Sequence, residues 1–117
     1  MSIEIFKGNS LDVNFIIKNQ NGIIVDLTSG VVSFVVKLEI GSLGETVFKK
    51  DSDLNGITLD NPTMGECTLK LIPSDTENLI AKEYQYELLI ELPDGAGGFD
   101  RYTAEIDILS VKGVLIP

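Results

Sequence analysis

Histidine and tryptophan are absent from these 117 residues, and cysteine occurs once, at Cys67. Without histidine there is no Ser-His or Cys-His pair and no imidazole-ligated metal. A lone cysteine cannot close an internal disulfide, so nothing implies an oxidising compartment. Cys67 falls in register with Leu69 and Leu71 on an apolar face, which reads as an inert core thiol. Basic residues are scarce: 9 Lys and Arg stand against 18 Asp and Glu, for a net charge of -9. No Lys/Arg cluster is present, so nucleic acid is not an expected partner. The acidity reads as a solubility device. No apolar run approaches the ~20 residues of a membrane-spanning helix. The first residues are acidic and lack the apolar stretch of a secretory signal, so no membrane association or signal-directed secretion is expected. No Gly-x-x-x-x-Gly-Lys phosphate loop occurs; Gly95 to Gly98 has neither the lysine nor a following helix.

What remains is 44% apolar and 23% charged, ordinary for one globular domain over residues 1–117. Val, Ile, Thr, Phe and Tyr favour strands. Short alternating segments recur between turn signals. They lie at Ile3–Phe6, Leu11–Lys18, Ile23–Leu27, Val31–Glu39, Glu45–Lys50, Ile57–Leu59 and Glu66–Ile72. Asn21-Gly22 marks a tight turn. Lys49 and Lys50 would protect a sheet edge.

The most informative stretch runs from Leu69 to Leu109. Residues 74–80 form a short helical turn, where Ser74 and Glu77 have capping-box spacing. Leu79 and Ile80 would close the end of the core. This turn reads as the crossing between two sheets. From Glu83 to Leu92, Tyr84, Tyr86, Leu88, Ile90 and Leu92 share one face. Glu83, Gln85, Glu87 and Glu91 share the other, with Leu89 as its apolar exception. From Phe99 to Leu109, strict alternation puts Tyr102, Ala104, Ile106 and Ile108 inward, and Arg101, Thr103, Glu105 and Asp107 outward. Pro93 to Gly98 joins the two as a hairpin. Setting Leu92 opposite Asp100 pairs Glu91 with Arg101, worth roughly 0.2–1 kcal/mol. The same register opposes Glu87 to Glu105, a like-charge contact.

Three features could carry function. Asp51-Ser52-Asp53-Leu54-Asn55-Gly56 matches the first half of a calcium loop, making Asp51, Asp53 and Asn55 candidate ligands. Its twelfth position is Pro62 where a bidentate Glu belongs, and its flanks read as strands, so a plain polar turn serves as well. Tyr84, Tyr86 and Tyr102 could stack on sugars, but their phase with core residues favours buried rings. The segment 110–117 reads as an apolar tail, and Val114, Leu115 and Ile116 are its interaction candidates: they dock on a neighbour or extend a sheet. The alternative is that the tail folds back as the last strand of its own domain. No catalytic constellation or cofactor motif appears, and carboxylates on a wet strand face do not make a cleft.

Three passages together resemble the small Ig-like β-sandwich domains of bacteriophage particles, as in baseplate upper proteins and related tail proteins. The first is Lys7-Gly8-Asn9-Ser10-Leu11-Asp12-Val13-Asn14-Phe15 with Asn21-Gly22-Ile23-Ile24-Val25-Asp26-Leu27-Thr28. The second is Gly56-Ile57-Thr58-Leu59 with Met64-Gly65-Glu66-Cys67-Thr68-Leu69-Lys70-Leu71. The third is Ile72-Pro73-Ser74-Asp75-Thr76-Glu77-Asn78-Leu79, then Tyr84-Gln85-Tyr86-Glu87-Leu88 and Asp94-Gly95. The expectation is an Ig-like antiparallel β-sandwich of seven to nine strands. The resemblance implies a non-enzymatic assembly part of a phage or prophage tail, baseplate or neck. Its partners would be other virion proteins and copies of itself, and it would be assembled in the bacterial cytoplasm. The alternative is a host-receptor or carbohydrate-binding module, calcium-assisted.

Overall fold

The computed structural model describes residues 2–38 and 46–114. Eight strands lie among them: β1 (Ile3–Phe6), β2 (Leu11–Ile16), β3 (Val31–Lys37), β4 (Thr46–Asp51), β5 (Ile57–Asn61), β6 (Glu66–Leu71), β7 (Lys82–Pro93) and β8 (Phe99–Lys112). A helical turn, α1 (Pro73–Thr76), and a 3-10 turn at Pro62–Met64 interrupt them.

The strands form a five-stranded sheet, β1-β8-β7-β3-β4, and a three-stranded sheet, β2-β6-β5. This is an all-β sandwich with immunoglobulin-like connectivity. β2, β6 and β5 take the places of strands B, E and D, and β3, β7 and β8 those of C, F and G. Every strand pair is antiparallel except β1 with β8, which is parallel. The core lies between the sheets. Val32, Phe34 and Val36 of β3 and Tyr84, Tyr86, Leu88 and Ile90 of β7 pack towards Phe15, Cys67, Leu69 and Leu71. Phe34 and Tyr86 stack with centroids 4.9 Å apart. Each such large side chain contributes roughly 1.5–3 kcal/mol on burial. Outside the core, Ser33 is buried and Val31 and Val35 half-buried, so the second face of β3 is partly covered as its sequence suggests.

α1 crosses from β6 in one sheet to β7 in the other, as expected. Its cap differs from the Ser74–Glu77 expectation. The Asp75 carboxylate accepts the Ile72 N–H at 2.8 Å, and Asp75 N–H donates to Ile72 O. Asp75 also holds Lys50 Nζ at 2.8 Å. Lys50 therefore does not protect an edge; it is only 5% exposed and points into the sandwich, whereas Lys49 stays outside. The buried Thr76 hydroxyl accepts Gly8 N–H at 2.9 Å, tying α1 to the β1–β2 turn. Leu79 is half-buried, while Ile80 is exposed and lends its carbonyl to the Tyr84 hydroxyl at 2.7 Å.

The expected strand at Ile23–Leu27 is reduced to one bridge, Lys18 with Ile24. Val25 N–H donates to Ile17 O and Leu27 N–H to Pro62 O, so two different partners share the segment and no ladder forms.

The largest departure is in β8. Its register begins as expected, with Leu92 opposite Asp100 and Glu91 opposite Arg101, whose guanidinium lies 3.4 Å from the carboxylate. A bulge then falls where Leu88 pairs Glu105 and Leu89 pairs Thr103. The extra β8 residue reverses the alternation beyond it. Ile106 and Ile108 face outward opposite Glu87 and Gln85, and Ile106 is 55% exposed. Glu105 and Asp107 move to the inner side, with Leu109 and Val111 buried behind them. The gain is electrostatic. Glu87 escapes Glu105 and accepts the Thr103 hydroxyl instead, while Glu105 accepts the Tyr86 hydroxyl at 3.0 Å. Finally, β8 continues to Lys112 because Ser110, Val111 and Lys112 pair with Glu4, Ile5 and Phe6. These three residues belong to the strand and not to a tail.

Candidate functional site

Among the described residues the smaller sheet leaves one side of the sandwich open. In a full immunoglobulin sheet a strand A lies beside B. Here β2, in the B position, has β6 as its only neighbour among the described residues. Ile17 N–H donates to Gly65 O on the β6 side. Antiparallel alternation therefore turns the N–H and C=O groups of Asp12, Asn14 and Ile16 towards the vacant side. Their side chains are exposed.

A groove runs along this edge, floored by the other sheet. One section, about 660 Å³, is lined by Ile17, Lys18, Gln20, Ile90, Tyr102 and Ala104 among others. A second, about 440 Å³, lies between Asn14, Ile16, Leu88 and Glu105. Ile17, Lys18 and Ala104 line both sections, so the two are continuous. Ile17, Leu88 and Ile90 lie almost fully buried beneath it, and the accessible lining mixes Tyr102 and Ala104 with Lys18, Gln20 and Glu105.

The bulge shapes this groove. Tyr102 lies opposite Ile90 on the inner side, yet it is 44% exposed, with no strand over it among the described residues. Its hydroxyl has no hydrogen-bond partner among the described residues. The expectation of a buried Tyr102 ring is thus corrected, whereas Tyr84 and Tyr86 are core. Burial is the main cause raising the Tyr86 hydroxyl well above the ordinary phenol range, with its hydrogen bond to Glu105 adding to this. It stays a donor. Asn19 closes the adjoining turn, its side-chain oxygen accepting Asn21 and Ile23 N–H.

The calcium-loop candidates are held by internal bonds. One Asp51 oxygen accepts Asp53 N–H at 3.1 Å and Leu54 N–H at 2.6 Å, and Asp51 N–H donates to Asn55 O. The other oxygen lies 4.0 Å from Lys49 Nζ. Asp53 and Asn55 are exposed. Among the described residues no group of three acidic, cysteine or histidine side chains is placed to hold a metal. Cys67 is buried, and its thiol is pushed up to about 11 by burial and, secondarily, by the Asp60 charge.

Val114 is 44% exposed just beyond β8, at the end of the strand remote from Tyr102. Leu115 and Ile116 lie outside the described residues. The open edge of β2 and its groove escaped the sequence reading. Among the described residues no helix is long and apolar enough to cross a membrane. Comparison with known proteins found no matching family model and no matching curated protein.

Proposed function

We propose that this chain is a non-catalytic assembly module of a phage or prophage particle, acting by docking onto neighbouring subunits. The observation that carries the reading is the outer edge of β2, which pairs with no strand among the described residues and borders a groove of mixed apolar and polar lining. Such an edge recruits extended segments by strand addition: the main chain supplies hydrogen bonds and alternate side chains supply fit. The order of the three motif passages supports the phage context. Antibody labelling of particles released after prophage induction tests it by electron microscopy. Label at one fixed place on the particle is expected; intact, unlabelled particles despite good expression would refute the reading.

A second reading rests on Tyr102. An exposed ring beside Gln20, Asn19 and Thr103 is a combination that takes a sugar face. Calorimetry with host-surface glycans separates the two, since an assembly part binds none and Tyr102→Ala would abolish any heat the alternative produces.

A further inference from the structure

We propose that Asn55 is a self-modifying residue of the folded chain: it loses its side-chain amide to attack by its own backbone, and the fold directs this reaction to Asn55 and away from Asn21. The site is independent of the assembly reading.

Asparagine followed by glycine is open to this chemistry because no side chain hinders the glycine nitrogen. The chain holds two such pairs, Asn21-Gly22 and Asn55-Gly56, and isoleucine follows both. Both asparagines are exposed, and neither carboxamide makes a hydrogen bond among the described residues. Both glycines have positive φ, +77° and +97°. Sequence and exposure alone would make the two sites equals.

The reaction begins when the glycine N–H gives its proton to hydroxide. The nitrogen attacks the asparagine Cγ, closing a succinimide ring, and the Cγ–Nδ2 bond breaks to release ammonia. Holding nucleophile and carbonyl in one residue pair makes the step intramolecular. Water then opens the ring at either carbonyl. One opening leaves aspartate; the other routes the main chain through the former side chain, as isoaspartate. The net change is NH exchanged for O, with no oxidant or reductant.

Hydrogen bonds set the two peptide groups in opposite senses. Gly22 N–H donates to Asn19 O at 2.9 Å, which ties down the attacking nitrogen and holds its proton. Gly56 N–H donates to no acceptor among the described residues, while the carbonyl of the same peptide, Asn55 O, accepts Asp51 N–H at 2.9 Å. Amide resonance spreads the charge of a deprotonated nitrogen onto that oxygen. A hydrogen bond to the charged form favours it. The Asp51 carboxylate opposes that charge, but it is already engaged by Asp53 and Leu54 N–H and by Lys49 at 4.0 Å.

The product forms at a junction. Asp51 N–H to Asn55 O and Lys70 N–H to Gly56 O, at 2.8 Å, tie this turn to β4 and β6. Gly56 also packs against the stem of Lys50, whose ammonium holds Asp75. Isoaspartate inserts a methylene into the main chain between these ties, so stability falls as the product accumulates.

Peptide mapping by mass spectrometry tests the proposal on the full chain, incubated in mildly alkaline buffer, folded or in urea. In the folded chain, product should accumulate at Asn55 at least about threefold faster than at Asn21, the effect of one hydrogen bond. In urea the two rates should converge. Equal rates in the folded chain, or a faster Asn21, would overturn the proposal. So would a preference that persists in urea, since sequence alone would then set it, or no product at Asn55 in the folded chain while the unfolded chain converts. The Tm of the folded chain should fall during incubation, and that of Asn55→Ser, which keeps the backbone carbonyl but has no amide to lose, should hold. An equal fall in Asn55→Ser would overturn the link between this turn and stability.

Discussion

Replacing Asp75 by alanine should destabilise this domain more than its position in a four-residue turn suggests. Its carboxylate lies 2.8 Å from Lys50 Nζ, and the two side chains are 12% and 6% exposed. The same oxygen accepts Ile72 N–H at 2.8 Å. Alanine leaves an ammonium group buried without its counterion and frees a backbone donor. Breaking a buried pair from one side costs about 3–5 kcal/mol. For a chain of 117 residues the unfolding entropy is roughly 0.25 kcal/mol/K, so the Tm should fall by about 12–20 °C. Lys50→Met should cost less. It puts an apolar chain of similar length in the same space, and it leaves Asp75, the more exposed partner, still capping Ile72. The double variant Lys50→Met/Asp75→Ala should then lose less than the sum of the two, with a coupling of at least about 1.5 kcal/mol. Scanning calorimetry of the four proteins closes the cycle. A Tm within about 3 °C for Asp75→Ala, or strict additivity, would show that the pair does not join α1 to β4 energetically.

Other outcomes follow from the same packing. Ile106→Asn should shift stability by no more than about 0.5 kcal/mol by urea titration, because the side chain faces outward; a loss of several kcal/mol would return it to the core. Cys67 should resist alkylation in the folded chain up to pH ~10. Because its folded value is raised from 9.0 to about 11, the stability that this thiol contributes is fully present below pH 9 and is lost as pH rises towards 11, a slope that Cys67→Ala should remove from a pH series of melts. Millimolar calcium or a chelator should leave the Tm unchanged, since Asp51 is engaged by Asp53 and Leu54 N–H; a rise of several degrees on adding calcium would restore the metal reading. Gly56→Ala should cost about 1–3 kcal/mol, as its φ is +97° and a Cβ would clash with the Lys50 side chain.

Local chemistry made much of this fold legible. Alternation located the strands, and pairing Glu91 with Arg101 located the hairpin register. The contact that looked unfavourable on paper, Glu87 against Glu105, marks the place where the register breaks. Periodicity alone assigns Ile106 and Ile108 inward, because a period-2 pattern carries no sign of one inserted residue. Charge repulsion was the available clue, and a bulge is the device that relieves it. The turn at Ile72 shows a different limit. Ser74-x-x-Glu77 fits a cap by spacing, but Asp75 caps because Lys50 draws its carboxylate towards β4, a residue 25 positions away. The groove is a property of sheet widths, five strands against three among the described residues, and no single segment encodes that difference.

The parallel pairing of β1 with β8 has a mechanical consequence. Ile3 to Phe6 run in the same direction as Leu109 to Lys112, with Lys7 N–H bonded to Lys112 O beyond them. Tension applied at residues 2 and 114 pulls the two strands along their length in opposite senses. It loads the hydrogen bonds between them together, in shear, and does not peel them one after another. The core behind Ile3, Ile5, Leu109 and Val111 must slide before any bond is released. A domain joined to its neighbours near these two points would transmit a pull along the paired strands while holding its shape.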